Sequence, residues 1–135
     1  MTKPFSVLLI DDDATNNFLT QRLFQRLHLD EQILIAETGQ QALDLLTGPN
    51  APSPKLLLLD LNMPGLSGAE FLAQYQAQPP APENQPVIVV LTTSTNHNDI
   101  TLIKQLRIDG LVTKPLTEAK LEHLLQLHFP ELRPS

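Results

Sequence analysis

The feature that most constrains this chain is a fivefold alternation. Short apolar runs are separated by longer stretches whose apolar residues recur at helical spacing. The runs are Val7–Ile10, Ile33–Ile35, Leu56–Leu59, Val87–Leu91 and Gly110–Thr113. A strand that is apolar on both sides must be covered on both sides, which points to a parallel sheet between helical layers. The β-branched run Val87–Leu91 is the clearest strand. The leucine run at 56–59 is ambiguous by periodicity alone, but it is short and an aspartate bounds it.

The intervening stretches carry helix start signals. Asp13 can cap a helix from Ala14 to about His28, with Phe18, Leu19, Leu23 and Leu27 on one face. Thr38-Gly39-Gln40-Gln41 reads as a capping box for a helix to Thr47, stopped by Gly48-Pro49. Ser67-Gly68-Ala69-Glu70 is a second such box, with Phe71, Leu72 and Tyr75 facing inward. A fourth helix is expected after Asn96–Asp99, carrying Ile100, Ile103 and Leu106. A fifth runs from Glu118 to about His128, with Leu121, Leu124 and Leu125 inward. The fold class is therefore α/β, a (βα)5 doubly wound parallel sheet of strand order 2-1-3-4-5 with helices on both faces. At 135 residues the chain is too short for a closed eightfold barrel.

Ligands of open parallel sheets bind beyond the carboxyl ends of the strands. The first strand ends in Asp11, Asp12 and Asp13, and the third in Asp60. The fourth ends in Thr92, Thr93 and Ser94, and the fifth in Lys114-Pro115. With strands one, three and four adjacent, Asp11, Asp12 and Asp60 converge, while Thr92 and Lys114 approach from the other side. Convergent carboxylates resist joint ionisation, and a hard divalent cation such as Mg²⁺ removes that conflict. A metal-bound carboxylate beside a lysine and a hydroxyl suits phosphoryl transfer, which is mainly positioning and electrostatics.

Composition narrows the alternatives. A net charge of −6 argues against direct nucleic acid binding and against an anionic membrane surface. With no cysteine, disulfides, thiolate metal sites and cysteine nucleophiles are excluded. The first apolar run is too short to be a signal peptide or a membrane span, so no membrane insertion and a cytoplasmic location are expected.

At this point the chain resembles the receiver domain of bacterial two-component response regulators. The matching segments are Leu9-Ile10-Asp11-Asp12-Asp13, Leu59-Asp60-Leu61-Asn62-Met63-Pro64-Gly65-Leu66-Ser67-Gly68, Val90-Leu91-Thr92-Thr93-Ser94 and Thr113-Lys114-Pro115-Leu116. The resemblance implies a single-domain switch, with a receiver domain at 1–129, a short tail at 130–135 and no output domain. It implies that Asp60 takes a phosphoryl group from a sensor histidine kinase in a Mg²⁺-dependent reaction. Asp12, Asp60 and the Asn62 main-chain carbonyl would ligate the metal, with Asp11 acting through water. Thr92 would bind the phosphoryl group, Lys114 would pair with Asp60, and the Lys114-Pro115 bond would be cis. Asn62 and Ser94 would tune dephosphorylation. Thr92 and Leu111 occupy the switch positions, where Leu111 replaces the more usual aromatic residue. The alternative role is a phosphorelay intermediate that passes the group to a histidine phosphotransfer protein.

Blander readings stand beside these. Asp13 extends the acidic pair and reads as a helix cap. His28, His97, His123 and His128 read as surface residues, and the proline-rich 79–86 stretch as a semi-rigid surface loop. A phosphatase with an aspartate nucleophile generally has a second aspartate two residues on, where this chain has Asn62. No turnover enzyme is expected.

Overall fold

In the computed structural model the residues described are 5–30, 32–48, 51–61, 63, 67–80, 82–93, 101 and 104–132. The expected fourth helix lies mostly outside them, as do Asn62, Ser94 and His97.

Five strands form one parallel sheet: β1 (Ser6–Ile10), β2 (Gln32–Ala36), β3 (Leu56–Asp60), β4 (Val87–Thr92) and β5 (Gly110–Thr113). Their order is β2-β1-β3-β4-β5, the expected one. Side chains of the central strands alternate between two cores. Leu8, Ile10, Leu57, Leu59, Ile88 and Val90 join a cluster that includes Ala42, Leu43, Phe71, Leu72 and Tyr75. Those five residues come from helices α2 (Gly39–Thr47) and α3 (Gly68–Ala77). Val7, Leu9, Leu56, Leu58, Val89 and Leu91 join the other cluster, with Phe24, Leu27, Leu121, Leu124, Leu125 and Phe129. That face is covered by α1 (Ala14–Arg26) and the C-terminal helix (Glu118–His128). All four leucines of the 56–59 run are buried, two per core. Truncating any one to alanine is expected to cost about 2–5 kcal/mol.

The caps follow the sequence signals. The Asp13 side chain accepts from the N–H groups of Thr15 and Asn16. Ser67 and Glu70 make the full reciprocal capping box. At α2 the box is only half formed: Thr38 accepts from Gln41, but the Gln41 side chain takes the N–H of Glu37 rather than that of Thr38.

The α1 face needs correction. Phe18 and Leu19 are more than half exposed, and the buried residues are Asn17, Thr20, Phe24 and Leu27. This set also has helical spacing, at i, i+3, i+7 and i+10. Asn17 is drawn inward because its Nδ2 donates to the Asp11 carbonyl at 3.0 Å. Arg22 lies over the Phe18 ring instead, 5.8 Å from its centroid.

Candidate functional site

Backbone bonds set the register of the site before any side chain takes part. The Asp11 N–H donates to the Ala36 carbonyl at 3.0 Å, extending the β1–β2 ladder one residue past β1. The Leu61 N–H donates to the Leu91 carbonyl at 3.0 Å, which fixes Asp60 at the end of β3. The Lys114 N–H donates to the Thr92 carbonyl at 2.9 Å, tying the end of β5 to the end of β4. Thr92 itself is buried.

These ties bring together five sequence-predicted residues. One carboxylate oxygen from each of Asp11, Asp12 and Asp60 lies within 4.8 Å of the others. Asp11 and Asp60 are buried, while Asp12 stands exposed at the rim. The Lys114 ammonium is 3.1 Å from Asp60 Oδ1 and 3.6 Å from Asp11 Oδ2. The Lys114-Pro115 bond is cis. Asp13 turns away as a cap, although its N–H still donates to Asp11 Oδ1 at 2.9 Å. Leu111 is 46% exposed on β5.

The electrostatics are unbalanced. Burial pushes the Asp11 carboxyl above the ordinary 3.8, and the Asp60 and Asp12 charges push the same way. The Asp13 N–H and Lys114 pull it down without cancelling the rise. Among the described residues three carboxylates gather here, and Lys114 pairs with two of them. A cluster of hard oxygen donors with surplus negative charge suits a divalent cation such as Mg²⁺, so the donor set fits the expected metal.

The sequence places Gly68 in a capping box and at the end of a family-matching segment, with no role at the site. A Cβ there would lie 2.8 Å from the Asp60 carbonyl oxygen and 2.9 Å from Leu61 Cα. The Gly68 N–H also donates to the Leu61 carbonyl at 3.2 Å. The start of α3 therefore presses directly against the backbone that carries Asp60, and only glycine allows that approach. A glycine at the first helical position, where most residues are tolerated, was the available signal.

Comparison with known proteins agrees with this geometry. Residues 7–126 match the response regulator receiver domain family. The chain is 35% identical to response regulator Rcp1 of Synechocystis, over 82% of this chain and 77% of that protein. It is 32% identical to a chemotaxis protein CheY homolog of Campylobacter jejuni, over 89% and 88% respectively. A two-component response regulator from Cytophaga hutchinsonii superposes with a TM-score of 0.80 at 30% identity, covering 96% of this chain and 99% of that one. Among the described residues no helix is long and apolar enough to cross a membrane. The match places the protein in two-component signalling, as a phosphoacceptor response regulator with an acidic pocket rather than a turnover enzyme. The chain belongs to the response regulator receiver domain family.

Proposed function

We propose that Asp60 is the phosphoacceptor and that its partner on the input side is a sensor histidine kinase. The observation that carries this reading is the Lys114 ammonium 3.1 Å from Oδ1 of Asp60, which itself belongs to a cluster of three carboxylates. In the reaction an Asp60 oxygen forms a bond to phosphorus. The phosphorus–nitrogen bond to the kinase imidazole breaks, and its electron pair stays on that nitrogen, which takes up a proton. Lys114 meets the charge on the transferred group, and the buried Thr92 at the end of β4 is suited to donate its hydroxyl. Asp12 and Asp60 would hold Mg²⁺ directly and Asp11 through water. The bound cation would supply neutralisation of the phosphoryl oxygens.

The new charge at Asp60 would be read through Thr92 and β5. Thr92 and Lys114 are already joined by a backbone hydrogen bond, and exposed Leu111 lies on β5, the strand that leads into Lys114, opposite Val90. A protein partner that meets this part of the surface would sense the change.

The test is incubation with Mg²⁺ and a small phosphodonor, read as a mass increase of one phosphoryl group. The wild type is expected to take up one group and Asp60→Asn none. Uptake by Asp60→Asn equal to wild type would overturn the assignment.

A further inference from the structure

We infer that Lys120 is a positioning residue for Lys114, an inference that rests on the reading of Asp60 and Lys114 above. Lys120 stands in the first turn of the C-terminal helix, three residues after its N-cap Thr117. The Thr117 hydroxyl accepts from the Lys120 N–H at 3.2 Å. This is the position where a capping box places Glu or Gln, whose side chain reaches back to the cap. A cation there is also opposed by the helix dipole, whose positive end lies in this turn. By local rules Lys120 is the wrong residue, and such conflicts concentrate where function overrides local stability.

The side chain shows what replaces the cap. Its ammonium donates to the Thr113 carbonyl at 2.7 Å and to the Pro115 carbonyl at 3.2 Å. Those carbonyls flank Lys114 on both sides. The Lys114 N–H is bonded in turn to the Thr92 carbonyl at 2.9 Å. Lys114 is thus gripped from β4 through its own backbone and from the C-terminal helix through its two neighbours. Among the described residues the Lys120 ammonium bonds to the Thr113 and Pro115 carbonyls and not to Asp60 or Asp11, so it acts through the backbone that aims Lys114. The same clamp joins the phosphoryl-binding end of the sheet to the first turn of the C-terminal helix.

The experiment is the rate of phosphorylation by a small phosphodonor in Mg²⁺, with melting temperature measured alongside. Lys120→Gln can complete the capping box with Thr117, so its melting temperature is expected to equal or exceed that of the wild type. Its phosphorylation rate is expected to fall about fivefold, the effect of roughly one lost hydrogen bond on the barrier. Lys120→Met is expected to lose rate by a similar factor, and Lys120→Arg, which keeps donors for both carbonyls, to recover most of it. In a Lys114→Ala background, Lys120→Gln is expected to cause no further loss. A wild-type rate in Lys120→Gln, or an equal fall with Lys114 already removed, would overturn the inference. If the wild type takes no phosphoryl group, or takes it independently of Asp60, the failure lies in the underlying assignment instead.

Discussion

The two ends of the sheet are built on opposite principles. At the carboxyl ends, three carboxylates cluster, the Lys114 ammonium pairs with two of them, and the Asp11 carboxyl is pushed up by burial. At the amino ends, polar groups are matched pair by pair. The Lys55 N–H donates to the Ser6 carbonyl and the Lys55 carbonyl accepts from Val87, both at 2.9 Å. Asp109 closes a ring with Ile88: its carboxylate accepts from the Ile88 N–H at 2.8 Å and its N–H donates to the Ile88 carbonyl at 2.8 Å. The Gln76 side chain makes a two-way pair with the Arg107 backbone, tying α3 to the chain that enters β5. One end concentrates negative charge, and the other secures the framework. Activity and stability should therefore respond to substitutions at different ends.

Gly68→Ala gives the largest expected effect, because it strikes both. The added methyl must displace the backbone at Asp60 and Leu61, at a cost of about 2 kcal/mol. Phosphoryl uptake should fall with stability, and a variant with normal melting temperature and uptake would show that the close approach is unimportant. Asp109→Ala should separate the two ends. It leaves the Ile88 N–H without its partner and is expected to destabilise by about 1–2 kcal/mol in denaturant titration. Its phosphorylation rate should stay near wild type.

Asp11→Asn is expected to move stability the other way. The folded-state pKa of Asp11 is raised, so its favourable contribution is present below the ordinary 3.8 and is lost as pH rises through the folded value. The variant should therefore match wild type in acid and be more stable than it above neutrality without metal. Adding Mg²⁺ should reverse the order, since the cation stabilises the form that binds it better. Equal pH profiles for the two proteins would remove the claim that burial disfavours the charged form of Asp11. The smallest effect is expected at His28, which follows α1 with φ of 58°, the left-handed region. His28→Gly should stabilise by about 0.5–1 kcal/mol in thermal melts, with no change in phosphorylation.

Much of the site was legible because its residues sit at strand ends. Chain connectivity and sheet order alone bring Asp11, Asp12, Asp60, Thr92 and Lys114 together. Caps such as Asp13 and Ser67 were legible because they act within one turn. The buried face of α1 was not. Its apolar pattern favours Phe18 and Leu19, yet Asn17 turns inward because the carbonyl beside the acidic cluster needs its donor. The Asp109 and Gln76 clamps were equally silent, since each joins residues more than twenty positions apart.

By itself, then, the sequence determined the alternation of elements, the doubly wound class and the identity of the acidic cluster, because these follow from short-range periodicity and from which residue ends each run. Only the tertiary structure decided which face of α1 is covered, how closely Gly68 approaches the Asp60 backbone and where the Lys120 ammonium is spent. Those depend on groups that are distant along the chain, or that face each other across a turn, and a linear pattern does not record their distances.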